Sequence, residues 1–325
     1  MSNIRDVAKK AGVSVTTVSR VLNNTGYVNI KTRNKVLKAI EELDYHPNEM
    51  ARAFSRQKSH LIGLIIPNAA HPFFAEVIRN VEFYAYKNGY KILVCNSMSD
   101  VNKEVEYLDM LKQHQVDGII MASQNTDIEN YKNINLPIVA IDRKLSDNIP
   151  YVSSDNYRGG VMATEYLIEL GCKNIIHISG NLKIDMKSND RCLGFEEICK
   201  SNNINYKIFE VGANLIENFD YDDIVQKILI ENPEIDGVFA SADLIAAAVV
   251  RACSYLGKKI PKDMKVIGFD DTIIASVMQP PITTIRQPIE SICNYAVTSI
   301  LNQLEGNIVP NKTELPVTLI KRRTT

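Results

Sequence analysis

Ile4-Arg-Asp-Val-Ala-Lys-Lys-Ala-Gly-Val-Ser-Val-Thr-Thr-Val-Ser-Arg-Val-Leu-Asn23 is the stretch on which the reading of this chain turns. Ile4, Val7, Ala8 and Ala11 recur at i, i+3, i+4 and i+7, one apolar stripe at helical spacing. Gly12-Val13-Ser14 interrupts it, and Ser14 is a good N-cap for a second helix with its own stripe, Val18, Val21 and Leu22. A third helix is expected after Asn29, carrying Val36, Leu37, Ile40 and Leu43 inward and stopping before Pro47. Helix, short glycine turn, helix is the geometry that lays a second helix into a DNA major groove.

On that second helix Thr16, Ser19 and Arg20 fall at i, i+3 and i+4, opposite the Val18/Val21 side. An arginine can bond a guanine edge through two N–H groups, and hydroxyls adapt to several bases. Ser14 and the start of the third helix (Asn29, Lys31, Thr32) offer N–H groups and hydroxyls to phosphates. A small helical bundle with a solvated polar face has the same spacing. Charge separates the two readings. Residues 1–60 hold eleven Lys and Arg against five Asp and Glu, a net +6, while the other 265 residues carry 26 basic and 33 acidic groups, a net −7. A basic head on an acidic body implies a polyanionic partner for the head.

Working outward, 325 residues are enough for about two domains. Residues 46–60 show no clear apolar face and read as a basic linker with helical potential. From residue 61 the rhythm changes. Apolar runs at Leu61–Pro67, Lys91–Asn96, Val116–Ser123, Pro137–Asp142, Asn174–Gly180, Asp236–Ala240 and Lys265–Asp270 alternate with amphipathic stretches such as 73–88, 101–115, 157–170 and 288–304. That alternation predicts βαβ units and parallel sheets, here in two similar lobes. In such sheets ligands sit beyond the carboxyl ends of strands. The residues found there are His71-Pro72-Phe73-Phe74, Asp142-Arg143, Asp243, Asp270-Asp271 and Arg286-Gln287. Carboxylates and guanidinium bond vicinal hydroxyls, and aromatic faces cover the apolar side of a sugar ring.

Several classes of function recede. There is no G-x-S-x-G, H-E-x-x-H, Walker loop or strand-borne G-x-G-x-x-G, so no catalytic residue and no cofactor is expected. The six cysteines (Cys95, Cys172, Cys192, Cys199, Cys253, Cys293) contain no C-x-x-C pair, which argues for buried thiols in a reducing cytoplasm, without metal or disulfides. Met1–Asp6 has no apolar run, and no stretch approaches ~18 consecutive apolar residues, so neither an export signal nor a membrane span is expected.

The opening stretch resembles the lactose/galactose repressor family. The likeness continues through Lys31-Thr-Arg-Asn-Lys-Val36, Ala39-Ile-Glu-Glu-Leu-Asp-Tyr-His-Pro-Asn48, Ala51-Arg52, Pro72-Phe-Phe-Ala-Glu76, Val116-Asp-Gly-Ile-Ile120, Ser154-Asp-Asn-Tyr-Arg-Gly-Gly160, Gly268-Phe-Asp-Asp271 and Thr283-Thr-Ile-Arg-Gln-Pro288. Tyr27-Val28, Ala140-Ile-Asp-Arg143 and Asn148-Ile-Pro-Tyr-Val-Ser-Ser-Asp155 are most similar to sucrose-operon repressors, with ribose-operon repressors second. The resemblance implies an all-α helix-turn-helix head (1–46), a hinge helix (47–60) and a two-lobed α/β body like a periplasmic binding protein (61–325). The first lobe would take about 61–156 and 287–306, the second about 157–286 and 307–325.

The resemblance also assigns residues. Base contacts would come from Val15, Thr16 and Arg20, although periodicity turns Val15 toward the core. In the family the linker helix wedges a leucine into the minor groove; here Phe54 stands at that place, flanked by Ala51 and Ser55. Phe can also unstack a base step; an aromatic anchoring the linker to the body is the plainer alternative. Ligand positions fall on His71, Phe73, Phe74, Asp142, Arg143, Arg191, Asp270 and Gln287, and Ala242 stands where ribose binders commonly present Asn. The implied partners are double-stranded, pseudo-palindromic operator DNA, a small carbohydrate or sugar phosphate, and a second copy of the chain. Alternatives are a catabolite-control regulator switched by a phosphoprotein, a sugar-binding protein without DNA regulation, and an enzyme on the same scaffold.

Overall fold

The computed structural model describes residues 2–46, 58–123, 135–212 and 218–325. Ala51, Phe54 and Ser55, on which the hinge reading depends, lie outside the described residues. The chain divides into two units, Met1–Ser59 and His60–Thr325.

In the first unit α1 spans Ile4–Ala11, α2 Val15–Asn23 and α3 Ile30–Glu42. Asn3 opens α1 with a capping box, its side chain accepting from Arg5 and Asp6 N–H while Asp6 accepts from Asn3 N–H. Gly12, at φ 66°, ends α1 in the left-handed region that glycine enters at least cost. Two residues later Ser14 Oγ accepts from Thr17 N–H and starts α2. The tight turn is therefore specified at both ends. Val7, Ala8, Val18, Val21, Val36 and Ala39 are buried together, and Lys10 pairs with Glu42 at 2.8 Å to tie α1 to α3. Leu37, expected inward, is 49% exposed, and Ala39 takes the inner face in its place.

The second unit holds two six-stranded sheets of matching order. Strands β1 (Leu61–Ile66), β2 (Lys91–Asn96), β3 (Gly118–Met121), β4 (Ile138–Ile141), β5 (Tyr151–Ser154) and β11 (Lys312–Leu315) make the first, in the order β11-β5-β4-β3-β1-β2. Strands β6 (Asn174–Ser179), β7 (Asn205–Glu210), β8 (Gly237–Ala240), β9 (Lys265–Asp270), β10 (Thr283–Arg286) and β12 (Thr318–Ile320) make the second, in the order β12-β10-β9-β8-β6-β7. Every pairing is parallel except that of β12 with β10. Central strands such as β3, β4 and β8 are buried along their whole length, as helices on both faces of a parallel sheet require.

Those helices are α4 (Pro72–Lys87), α5 (Val101–Gln113), α6 (Asn156–Glu169), α7 (Asp190–Ser201), α8 (Asp222–Glu231), α9 (Asp243–Tyr255), the short α10 (Ile273–Val277) and α11 (Ile289–Leu304). Apolar clusters lie on each face of each sheet. All six cysteines are buried and free.

The chain passes between the sheets three times, at 154–156, 286–289 and 315–318. The last crossing corrects the expected lobe boundary. Residues 307–325 are expected in the second lobe, but β11 lies in the first sheet, Lys312 opposite Tyr151 and Leu315 opposite Ser154. Pro316 separates β11 from β12; lacking an N–H, it cannot extend a ladder.

Candidate functional site

In the first unit the structure brings most of the residues expected to meet DNA to the surface. Ser14, Val15, Thr16, Arg20 and Asn29 are exposed, and Ser19 and Thr32 half-buried. Val15 is 41% exposed: as the first residue of α2 it projects past the core that claims Val18 and Val21. The inward placement that periodicity gave Val15 is thus corrected. Ser19 Oγ accepts from Asn23 Nδ2 at 3.2 Å, which fixes that hydroxyl, while Arg33 donates to Asn24 Oδ1 at 2.9 Å and braces the end of α2.

In the second unit a cavity of about 420 Å³ opens between the two sheets, within the ordinary range of small-molecule sites. His71 after β1, Asp142 after β4, Asp270 at the last position of β9 and Gln287 after β10 all line it, as the carboxyl-end rule requires. Phe73 and Phe74, in the first turn of α4, supply buried aromatic walls. His71 is the N-cap of α4, its Nδ1 accepting from Phe73 N–H at 3.2 Å, which leaves Nε2 as the protonated nitrogen. Burial pulls its pKa down to about 4, so the ring is neutral.

A hydrogen-bonded chain runs through the floor of the cavity and across the lobe crossings. Ser154 Oγ donates to Gln287 Oε1 at 2.7 Å, and Gln287 Nε2 donates to Asp270 Oδ1 at 2.7 Å. Arg191 Nη1 stands 4.0 Å from Asp270 Oδ1 and donates to the Ser241 carbonyl at 2.7 Å. Arg191 Nε donates to Asn156 Oδ1 at 2.7 Å, and Asn156 Nδ2 to Asp142 Oδ1 at 2.8 Å. Burial pushes Asp270 up to about 7 against the pull of Arg191, and raises Asp142 as well. Asp142 and Asp270 both have positive φ, 55° and 107°. Strain of this kind costs ~1–3 kcal/mol and gathers where function dictates backbone shape.

Adjacent strand-end residues divide their work. Arg143, expected at the ligand, is buried but is not among the residues that line the cavity, whereas its neighbour Asp142 is. Asp271 and Arg286 turn away and bond each other at 2.6 Å, with Arg322 also 2.6 Å from Asp271. Asp243 belongs to the core, accepting from Thr272 N–H, Thr272 Oγ1 and Thr284 Oγ1 at 2.7, 3.0 and 2.6 Å. Asn68, Asn189, Phe219, Tyr221 and Ser241 also line the cavity, and the sequence reading had named none of them. Asn68 follows β1 directly, so the strand-end rule could have found it. Phe219 and Tyr221 follow β7, an edge strand of alternating exposed and half-buried residues whose weak apolarity hid it.

A helix-turn-helix head together with a two-lobed body enclosing a ligand-sized polar cleft defines a DNA-binding regulator. The lacI family model of bacterial regulatory proteins matches residues 3–48, and a periplasmic binding protein-like domain matches residues 164–325. The ribose operon repressor of Halalkalibacterium halodurans is 40% identical over 100% of this chain and 97% of that protein. The sucrose operon repressor of Streptococcus mutans is also 40% identical, over 98% of each. The crystal structure of the lac repressor dimer bound to operator and the anti-inducer ONPF superimposes with a TM-score of 0.87 at 28% identity, covering 99% of this chain and 98% of that one. The chain belongs to the lacI family. The expected precedence of sucrose over ribose repressors does not appear in these identities.

Among the described residues no helix is long and apolar enough to cross a membrane, and no group of three or more His, Cys, Asp or Glu could hold a metal ion.

Proposed function

We propose that this protein represses a carbohydrate-utilisation operon in the cytoplasm, binding a pseudo-palindromic operator as a homodimer and changing its grip when a small sugar or sugar phosphate occupies the cleft. The observation that carries the proposal is the cavity floor. Asp142 and Asp270 flank Arg191, with Phe73 and Phe74 on the wall, so hydroxyls and the apolar face of one sugar ring find partners together. Its relatives' names, repressors of ribose and sucrose operons, point the same way.

In this reading Thr16, Arg20 and Val15 read bases, and Ser14, Ser19, Asn29 and Thr32 position the head on the backbone. Ala51, Phe54 and Ser55 bind the minor groove. One head buries too little to be specific, and a second on a two-fold site doubles the contacts. Closure about the three crossings couples the cleft to the operator, with ~1–3 kcal/mol typical of such linkage. The cleft binds its sugar without turning it over.

The test is operator binding, followed by fluorescence anisotropy on the regulatory DNA upstream of the chain's own gene, with and without ribose, fructose, sucrose and their phosphates. A salt-sensitive complex whose affinity shifts with one of these compounds is the expected result. Identical affinity under every compound would refute the allosteric part, and no attachment to duplex DNA the whole.

A further inference from the structure

We infer that Asn156 is the positioning residue through which occupancy of the cavity is passed from one lobe to the other. The inference rests on the reading of the cavity as the effector site and adds the side chain that joins its two halves.

Asp142 follows β4 of the first lobe and Arg191 stands on α7 of the second, and both line the cavity. One amide holds the two. Asn156, 2% exposed, accepts from Arg191 Nε at 2.7 Å through Oδ1 and donates from Nδ2 to Asp142 Oδ1 at 2.8 Å. A guanidinium nitrogen can only donate, so the amide oxygen must face Arg191, and the amide nitrogen is left for the carboxylate. An asparagine meets both demands at once. A carboxylate in its place would oppose Asp142, and an apolar side chain would serve neither partner.

The seat of that amide is the first lobe crossing. Asn156 is the first residue of α6, and its Nδ2 also donates to the Ser154 carbonyl at 3.1 Å. Ser154 Oγ donates to Gln287 Oε1 at 2.7 Å, which reaches the second crossing. Asp155 N–H donates to the Leu315 carbonyl at 2.8 Å, which reaches the third. The chain beside Asn156 is thus bonded to both of the other crossings. A molecule that spans Asp142 and Arg191 sets their spacing, the amide hands that spacing to residue 156, and the angle between the lobes follows. Bonds to charged groups are short and directional, as a relay of position requires. Effector affinity draws on every group that touches the molecule; its effect on the operator draws on this relay.

The test is the operator affinity of the full-length protein, read by anisotropy with and without saturating ribose, fructose, sucrose or one of their phosphates. The ratio of the two affinities is the coupling factor, and the compound giving the largest wild-type ratio is carried through the variants. The wild type should show a ratio of ~5–150, the usual range for such linkage. Asn156→Asp sets two carboxylates against each other and should bring the ratio to within about twofold of one. Adding Asp142→Asn exchanges amide and carboxylate, returns a donor to the pair, and should recover most of the lost ratio. An asparagine that served only the fold would give the opposite pattern, a lower melting temperature in Asn156→Asp with an unchanged ratio. Should Asn156→Asp fail to fold, Asn156→Ala removes both bonds and should show the same collapse. An unreduced ratio in either single variant overturns the relay, and so does a double variant no better than Asn156→Asp. A wild-type ratio of one with every compound refutes the effector-site reading instead, and the inference with it.

Discussion

Arg191 lies against the face of Phe269, its guanidinium carbon 3.6 Å from the ring centroid, so that a charged side chain is held in a nearly water-free setting by a ring and two oxygens. Cation–π contacts of this kind strengthen when desolvated. The stacking aims the guanidinium edge between Asp142 and Asp270 while Asn156 holds Nε. Two glycines make the position reachable. A Cβ on Gly160 would stand 2.1 Å from the Arg191 carbonyl oxygen, and one on Gly194 2.3 Å from that of Tyr157. With neither present, α6 and α7 pack almost backbone to backbone and carry Arg191 to the cavity floor.

Replacing Arg191 with Ala should therefore abolish effector binding, by 100-fold or more, and leave the head's operator affinity within about threefold. Removing one partner of a buried charge pair costs ~3–5 kcal/mol, so thermal stability falls as well. Arg191→Lys should restore the charge but not the response, because an ammonium cannot stack flat or span Asn156 and Ser241 at once. Titration calorimetry beside anisotropy on operator DNA separates the two effects; a lysine variant with wild-type response would refute the role given to the planar fork.

Gly160→Ala tests the close approach of α6 and α7. The colliding atom is backbone and cannot swing aside, so the helices must part and move Arg191 with them. We expect destabilisation of ~3 kcal/mol or more, beyond the usual ~1–3 kcal/mol of overpacking, with weakened effector binding. At Gly171 a Cβ meets nothing within 4 Å but φ is 85°, so Ala there should cost only ~1 kcal/mol of backbone strain and spare the effector. Urea midpoints of the two variants make the comparison, and equal losses would remove the packing argument.

What the sequence made legible follows from which signals are local. The turn at Gly12-Val13-Ser14 is written in one glycine and one hydroxyl, and both act within four residues. His71, Asp142 and Asp270 were legible because each stands at or shortly after the end of an apolar strand. Arg191 was not readable from pattern. α7 buries Arg191, Cys192, Gly194, Phe195 and Cys199 on more than one side, so no polar face marks the arginine, and only family likeness assigned it. Arg143 was misplaced because a strand end does not announce which of two neighbours faces the ligand. Phe219 and Tyr221 were invisible because their position depends on an edge strand only half of whose residues turn inward, and the β11/β12 crossing because two short, half-exposed strands on either side of Pro316 carry little apolar signal.

His177 gives the body a pH dependence of defined sign. It is fully buried in β6, stacked 4.6 Å from Phe239, with Nδ1 2.9 Å from the Phe239 carbonyl. Only an N–H can pair with that oxygen, so Nδ1 carries the proton and Nε2 is left without a hydrogen-bond partner. Burial lowers its pKa from 6.5 to about 4. Between those values the unfolded chain holds the extra proton, so stability is full above pH 6.5 and declines toward pH 4. This one group should remove about 2 kcal/mol between pH 7 and pH 5. His177→Phe should flatten that part of the profile whatever it costs at pH 7. Denaturant unfolding at both pH values reads the difference; equal losses in the two proteins would rule out His177 as its source.

The head's assignments predict two kinds of failure on operator DNA. Arg20 is exposed on α2 and lies along Gly26, whose added Cβ would sit 3.7 Å from Arg20 Cδ, so the guanidinium is presented in a set direction and not loose in solvent. If it reads a guanine edge, Arg20→Ala should cost ~1–3 kcal/mol at the true operator and relax discrimination at one base pair of each half-site. Val15→Ala should cost less and act only where a thymine methyl is met. Asn29 and Thr32 stand at the start of α3, Asn29 Oδ1 accepting from Lys31 N–H at 2.9 Å, and in this reading they meet phosphate. Asn29→Ala and Thr32→Ala should then weaken all sequences by a similar factor, because backbone contacts carry no sequence information. Competition titrations of each variant against single-base operator changes distinguish the patterns. A uniform loss in Arg20→Ala, or a base-selective loss in Asn29→Ala, would exchange the roles given to the two helices.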